Sequence, residues 1–308
     1  MRLKSRPPAV SDLQQCVSMT HEPVARFTSS SSDVSAALRR LLMSGKVFGA
    51  VIYENDTPQS VVAFGFVSPI TKPALPSLLS PTAPSFLEHL LDSEWCERCL
   101  LNPRAQELAH RASGVDVIGC LNGWMNDDVA LKDELAKSLQ PLLGGLHVAS
   151  YYKETFDSNL AKSYEHQFGL PPQCIKRRKA LDGSVLEATL LGLTRDDWLE
   201  SKQKPTQPVN MIFGSLPPTF HLRPSWRRIL QLAMIDRSLT HAEIASHLGI
   251  SRDYVTKAIL DTHDVIFGTA KAKLSAAEAR RCTRRVLDFV AVNPQEVRPW
   301  VLLPRQKS

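Results

Sequence analysis

The residues best suited to a chemical task lie at 239–260, where cationic and hydroxyl side chains recur at helical spacing. Thr240 and Glu243 have the T-x-x-E spacing of a capping box, which satisfies free N–H groups at a helix start. Gly249 stands where this helix would end, and Ser251 can cap a second helix. Two short helices joined by a turn that contains glycine are typical of a helix-turn-helix, whose second helix enters the major groove of DNA.

The second helix is predicted to carry side chains of the types that read base edges or hold phosphates on its outer face. The predicted DNA contacts are Thr240, Ser251, Arg252, Asp253, Thr256, Lys257, Arg227 and Arg228. The alternative is an ordinary helical hairpin with a solvated charged face. The coincidence of the caps, the turn glycine and the small Ala245, at the point where the helices cross, favours DNA binding.

Residues 222–266 resemble the DNA-binding domain of the LuxR/GerE family. The matching positions are Pro224, Glu243, Ile244, Ala245, Leu248, Ile250, Ser251, Val255 and Lys257. Tyr254 stands where the family usually has Thr, and Asp253 directs a carboxylate toward the groove, so no target sequence is implied. The resemblance implies a transcriptional regulator that binds double-stranded DNA. We expect a homodimer, because one recognition helix reads too few base pairs for useful specificity.

The distribution of charge agrees with this prediction. The chain has 308 residues and a formal net charge of +6. Residues 221–308 carry 15 Lys and Arg against 8 Asp and Glu, whereas residues 1–220 carry 22 against 23. A surplus of positive charge within one segment is the electrostatic footprint of a nucleic-acid-binding domain. A second basic run, at 176–179, alternates faces if it forms a strand, so a solvated sheet edge explains it equally well.

Composition excludes several other classes of protein. The sequence contains no run of 18 apolar residues and no apolar core of a signal peptide, so we expect a cytoplasmic protein that does not enter a membrane. Cys96 and Cys99 form one C-x-x-C pair with His89 and His110 within reach. A single pair in a predicted helix is more often two half-buried thiols than half of a zinc site, so we expect no metal.

The first two hundred residues predict a mixed α/β sheet. The predicted order is β-α-α-β-β, a Pro- and Ser-rich loop at 69–88, and then β-α-β-α-β-β. This order, and the run at 159–170, resemble the GNAT (acetyltransferase-like) family and its N-x-x-A-x-x-x-Y-E-x-x-G-F pattern. The spacing here is shortened before Tyr164 and lengthened after it. The predicted organisation is an α/β (α+β) domain with a GNAT-like sheet at 1–198, a connector at 199–221 and an all-α helix-turn-helix domain at 222–308.

Whether the first domain is an enzyme depends on the turn after its fourth strand. In the GNAT family this turn is rich in Gly and basic residues and holds the coenzyme A diphosphate, assisted by a helix N-terminus. The corresponding turn, at 124–129, has no Gly and no basic residue but contains Asp127 and Asp128. Tyr164 matches the family's general-acid tyrosine only loosely. We therefore expect a regulator without a cofactor, whose first domain senses a small molecule or a protein. The alternative is a GNAT-type acetyltransferase targeted by a helix-turn-helix.

Overall fold

The computed structural model describes residues 3–20, 30–54, 57–125, 131, 134–135, 143–201, 207–235, 238–268 and 275–299. Seven strands form one mixed sheet in the order β1-β2-β3-β4-β5-β7-β6. The strands are β1 Leu3–Arg6, β2 Phe48–Glu54, β3 Thr57–Ile70, β4 Val115–Trp124, β5 Val148–Thr155, β6 Pro172–Lys179 and β7 Val185–Thr194. A mixed α/β sheet is therefore confirmed for this part of the chain.

The sheet is antiparallel except at its centre. β2 and β3 form the predicted hairpin, and β3 pairs antiparallel with β4. β4 and β5 run parallel, from Val115 opposite Val148 to Gly119 opposite Lys153. Parallel neighbours need a long crossover. The helix predicted at 128–143 falls in this crossover and mostly outside the described residues, although Leu131 is buried near the hairpin.

Short helices cover the two faces of the sheet. Those of the N-terminal part are α1 Leu13–Met19, α2 Ser31–Met43, α3 Leu75–Leu79, α4 Phe86–Leu91, α5 Ser93–Cys99, α6 Pro103–Arg111 and α7 Ser158–Phe168. The prediction of a loop at 69–88 was wrong in part. β3 runs on to Ile70, and α3 forms because Ala74 and Leu78 are buried in the core. Ser30 caps α2 by accepting a hydrogen bond from the Ser32 N–H.

Each face of the sheet has its own apolar core. One core surrounds Phe64, Phe66 and Phe86, and the other surrounds Val117, Val148 and Phe213. Burial of side chains of this size contributes about 1.5–3 kcal/mol each. The strands at the centre of the sheet therefore provide a rigid support for any side chain that they carry.

The segment predicted as an extended connector is partly helical. It contains α9 Gln207–Phe213, and α8 Arg195–Glu200 extends from the end of the first domain into its first two residues. Val209 and Phe213 are buried in the second core, and the Trp198 ring stacks on that of Phe213 with centroids 5.9 Å apart. The Pro, Lys and Gln content of this stretch suggested solvent exposure, but two apolar residues four apart are enough to fix one helical turn against the sheet.

Four helices make up the C-terminal part, and they surround a third apolar core. They are α10 Pro224–Ile235, α11 His241–Leu248, α12 Arg252–Phe267 and α13 Ala276–Val292. The Thr240–Glu243 capping box is present, Gly249 has the left-handed φ of 65°, and Ser251 caps α12. Buried side chains from all four helices close the core, among them Ile229, Ile244, Val255 and Val286.

Buried polar contacts join these helices to the sheet. The Arg227 guanidinium lies 2.5 Å from the Glu107 carboxylate, and Arg111 donates to the Phe220 carbonyl at 2.9 Å. His110 Nε2 lies 3.0 Å from the Gln295 carbonyl oxygen. The two parts of the chain therefore share a desolvated interface. Among the described residues, no helix combines the length and the apolar character needed to cross a membrane.

Candidate functional site

The first turns of α12 present a polar surface to solvent. Arg252, Asp253 and Lys257 are exposed, and Thr256 is half-buried. Val255 and Ala258, which alternate with them at helical spacing, are buried against the other helices. The structure thus brings four of the predicted contacts together on one accessible face, and the buried positions hold that face in a fixed orientation.

The two predicted hydroxyl contacts act as caps. The Thr240 hydroxyl donates to the Glu243 carboxylate at 2.7 Å and accepts from the Glu243 N–H at 3.3 Å. The Ser251 hydroxyl accepts from the Tyr254 N–H at 3.2 Å. Both residues are exposed at helix N-termini, where the free N–H groups and the helix dipole favour an anion such as phosphate.

Thr256 is held by a histidine from the preceding helix. Its hydroxyl donates to the Arg252 carbonyl at 3.2 Å and lies 3.0 Å from His241 Nδ1. Burial lowers the pKa of His241, and the nearby Arg252 charge lowers it further. The neutral imidazole therefore orients Thr256 without adding charge to the face.

The two predicted arginine contacts, Arg227 and Arg228, lie on α10 and not on the exposed face of α12. The sequence suggested that Arg227 lies near the DNA backbone, but its side chain is fully buried, paired with Glu107, and donates to the Arg298 carbonyl at 3.0 Å. A side chain enclosed in this way cannot reach a phosphate, so this assignment is corrected. Arg228, the next residue of α10, is half-buried.

Tyr254 stood out in the sequence only as a departure from the LuxR pattern. Its hydroxyl lies 2.8 Å from that of Ser225, at the start of α10, and its side chain is 38% exposed. The contact fixes the first turn of α12 to α10. The signal available in the sequence was an aromatic residue directly after the charged pair Arg252 and Asp253.

A second polar site lies where β4 and β5 separate. Their pairing ends at Gly119 and Lys153. Beyond these residues β5 pairs with β7, whereas β4 pairs with β3 and forms one bridge from Gly123 to Thr20. Cys120 is an extra residue in β4, because Phe66 and Val67 lie opposite Leu121 and Gly119. Such a bulge bends its strand and commonly re-aims a side chain beside a functional site.

Asn122 and Tyr164 meet beside this opening. The Asn122 amide donates to the Tyr164 hydroxyl at 2.9 Å, and Asn122 is 8% exposed. Tyr164 is half-buried on α7. Asn122 was missed at the sequence level, although an amide within the apolar run that follows Asp116 was the signal that could have shown it.

The opening is partly filled by the protein's own side chains. A Cβ placed on Gly119 would lie 3.0 Å from Lys153 Cδ and 3.1 Å from the Tyr151 hydroxyl. Lys153 is 3% exposed, and burial raises the pKa of Tyr151 well above its usual range. Lys153 and Tyr151 therefore close the space directly beside Gly119, the last residue of β4 that pairs with β5.

The turn with Asp127 and Asp128 lies outside the described residues, so the loss of a diphosphate site stays a prediction. Cys96 is buried with its thiol 3.3 Å from the His89 carbonyl, and Cys99 is half-buried. Within the described ranges, no three His, Cys, Asp or Glu side chains are grouped to hold a metal ion.

Comparisons with known proteins bear on the fold of the first part of the chain. No protein-family model matches the sequence, and no curated protein matches it. A probable acetyltransferase of Staphylococcus epidermidis is 12% identical, with 63% of this chain and 99% of that one covered and a TM-score of 0.39. A spermidine N-acetyltransferase variant of Vibrio cholerae is 8% identical, with 65% of this chain and 98% of that one covered and a TM-score of 0.38. A polyamine N-acetyltransferase of Drosophila melanogaster is 13% identical, with 63% of this chain and 100% of that one covered and a TM-score of 0.34.

These solved structures are similar to the chain in fold alone. The likeness agrees with the GNAT-like fold that was predicted for the N-terminal part. Nothing in the comparisons supports the predicted LuxR-type domain.

Proposed function

We propose that the C-terminal helices bind duplex DNA, with the first turns of α12 in the major groove. The observation that carries this proposal is the exposed face of α12, on which Arg252 and Lys257 stand five residues apart while Val255 is buried behind them. An α-helix fits the major groove, and side chains near the start of a recognition helix reach the base edges.

Each side chain on this face has a distinct role in the proposal. Arg252 and Lys257 donate to guanine or to phosphate, and Thr256 accepts or donates according to the base that it meets. Asp253 accepts from cytosine and repels a phosphate placed too close, which restricts how α12 can enter the groove. Ser251 and Thr240 place two helix N-termini toward the DNA backbone.

The buried contacts of α10 support the α12 face from behind. Arg227 belongs to these contacts, and Arg228 remains a candidate backbone contact only through the exposed part of its side chain. The sheet is joined to the α10 side of the helices, and the first turns of α12 remain exposed to solvent. We therefore place the GNAT-like domain in a regulatory role in a cytoplasmic, homodimeric regulator, with a small molecule or a protein as its effector.

The test uses the full-length protein and duplexes selected from a random pool. Arg252→Ala and Lys257→Ala are each expected to weaken binding to the selected duplex by roughly 5- to 150-fold, because one good base contact contributes about 1–3 kcal/mol. Lys162→Ala, at an exposed lysine on α7, is the matched control for the loss of one charge. Unchanged affinity of the first two variants at several salt concentrations would contradict the proposal.

A second candidate function is acyl transfer from a coenzyme A thioester at the separation of β4 and β5. The observation that favours it is the Asn122–Tyr164 contact beside a bulged strand. The side chains of Lys153 and Tyr151 oppose it, since they would first have to leave the space above Gly119. Titration calorimetry with acetyl-coenzyme A tests this candidate: absence of heat at millimolar ligand removes it. Binding heat that Tyr164→Phe reduces would favour it.

A further inference from the structure

A second charged and exposed surface of the described residues lies on α13. Four arginines of α13 point to solvent, and we call them the arginine stripe: Arg280, Arg281, Arg284 and Arg285. Their spacing places them on one side of the helix, opposite Val286 and Val290, which are fully buried. The guanidinium groups of Arg280, Arg281 and Arg284 are therefore accessible to a large partner.

Among the described residues of α13, two carboxylates lie near the four arginines of the stripe, Glu278 beside Arg281 and Asp288 beside Arg284. Glu278 accepts from the Ser275 N–H and hydroxyl, each at 2.7 Å, as part of the cap of α13. Asp288 lies 4.0 Å from Arg284, and both side chains are mostly exposed, at 57% and 88%. Exposed pairs at this distance contribute little. The stripe therefore keeps a net positive charge that a polyanion can match.

The position of the stripe relative to α12 follows from one ring contact. The Arg285 guanidinium lies 3.9 Å from the centre of the Phe267 ring, and Phe267 is the last residue of α12. With a rise of 1.5 Å per residue, Arg252 and Phe267 are roughly 22 Å apart along the helix. This separation exceeds the major-groove width of about 12 Å. Phosphates that the stripe contacts therefore lie outside the groove that the start of α12 enters.

We infer that the arginine stripe binds the phosphate backbone of duplex DNA beyond the edge of the groove that α12 reads. This inference rests on the proposed function for the choice of DNA as the polyanion. Guanidinium groups bind phosphate oxygens with paired N–H donors, so arginine suits such a contact better than lysine. The stripe adds affinity that does not depend on base sequence, whereas Arg252 and Lys257 provide the sequence preference.

The experiment measures anisotropy of a labelled selected duplex and a random duplex against full-length protein over a range of salt. The double variant Arg280→Gln, Arg284→Gln is expected to weaken binding to both duplexes by a similar factor, roughly tenfold. The slope of log affinity against log salt should become shallower by about 1.8, since each phosphate that a cation neutralises adds about 0.9 to the slope. Arg98→Gln with Arg104→Gln, two exposed arginines of the sheet domain, is the control with the same change in net charge.

Two results would overturn the inference. One is a double variant whose affinity and salt slope equal those of the control. The other is a loss of self-association without a change in the salt slope at fixed dimer concentration, which would assign the stripe to a second copy of the chain. Failure of the proposed function has a different signature. In that case Lys257→Ala leaves the preference for the selected duplex unchanged, whatever the stripe variant does.

Discussion

At the scale of single residues, two ion pairs on β6 show how burial decides what a charge contributes. Lys176 Nζ lies 2.9 Å from Glu154 Oε1, with side chains 0% and 4% exposed. Arg177 Nε lies 2.9 Å from Glu187 Oε1, with side chains 76% and 56% exposed. The distances are equal, so the difference between the pairs is the solvent around them. Glu154 also accepts from the Phe86 N–H at 2.5 Å, which ties β5 to the start of α4.

Glu154→Gln is expected to lower the free energy of unfolding by about 3–5 kcal/mol, because it leaves the Lys176 ammonium buried without its counter-charge. Glu187→Gln, the matched control in the next strand, should cost about 1 kcal/mol or less. Urea unfolding followed by circular dichroism measures both. Equal losses in the two variants would show that Lys176 is solvated or neutral in the folded protein.

The basic run at 176–179 also shows how far the sequence alone can predict at this scale. Strand periodicity predicts that its residues alternate between faces, and the structure places Lys176 inward and Arg177 outward accordingly. The counter-charge of Lys176 comes from β5 and could not be found locally. A pattern along the chain predicts the direction of a side chain, but its partner depends on which strands become neighbours.

At the scale of elements, the turn between α11 and α12 depends on one backbone conformation. Gly249 has φ of 65°, and a Cβ at this position would meet no atom within 4 Å. Any cost of substitution therefore comes from the left-handed conformation and not from crowding. Gly249→Ala is expected to destabilise the C-terminal helices by about 1 kcal/mol. Gly249→Asn should cost less, because asparagine tolerates this conformation better than alanine.

Hydrogen exchange of the α11 and α12 amides measures this difference locally. Faster exchange in Gly249→Ala than in Gly249→Asn is the expected order. The reverse order would mean that the side chain, and not the backbone angle, sets the cost. Gly183→Ala is the control, because Gly183 also has positive φ and open space around it. This variant should leave exchange in α11 and α12 unchanged.

Elements bounded by local signals were the ones that the sequence predicted well. The Thr240 capping box, the end of α11 at Gly249 and the Ser251 cap are present as expected, since each depends on residues a few positions apart. The helix at Gln207–Phe213 and the burial of Arg227 were not predicted. Both depend on surfaces that are distant in the sequence: α9 forms against the sheet core, and Arg227 is enclosed by Glu107 and Arg298.

At the scale of the whole molecule, two buried histidines make stability depend on pH. Burial lowers the pKa of His89 to about 4, and the Lys176 charge adds to the effect. Burial also lowers the pKa of His110 to about 4, against a smaller opposing effect of its hydrogen bond to Gln295. Unfolded histidine has a pKa of about 6.5. Between these values the unfolded chain binds protons that the folded chain does not, so the free energy of unfolding falls as pH is lowered from about 6.5 to about 4.

His110→Gln is expected to make this decline shallower by at most about 1.4 kcal/mol per pH unit, the contribution of one proton. Glutamine can still accept from the His147 N–H and donate to the Gln295 carbonyl, the two contacts that His110 makes at 2.9 and 3.0 Å. His166→Gln, at an exposed histidine, is the control. Urea unfolding at several pH values gives the slopes. A His110→Gln slope equal to that of the wild type would place the titration elsewhere.

The interface between the sheet and the C-terminal helices decides whether the chain unfolds as one unit. Arg227 is fully buried there, and Glu107, with 25% exposure, is its counter-charge at 2.5 Å. Glu107→Gln is expected to lower the free energy of unfolding by about 3 kcal/mol. This is the lower end of the range for a broken buried pair, because Glu107 is partly exposed to solvent. Most of that cost should weaken the attachment of the helices, since α10 carries Arg227 on the side that contacts α6.

We expect one unfolding transition for the wild type, and separate transitions of the sheet and the helices for Glu107→Gln. Tryptophan fluorescence, which includes Trp226 of α10, and circular dichroism of the whole chain would no longer coincide in urea. The double variant Glu107→Gln, Arg227→Met removes the buried charge together with its partner and should restore a single transition. Coincident transitions in Glu107→Gln alone would mean that apolar contacts, and not this pair, join the two parts. An effector that acts on the sheet would then need another route to the face of α12.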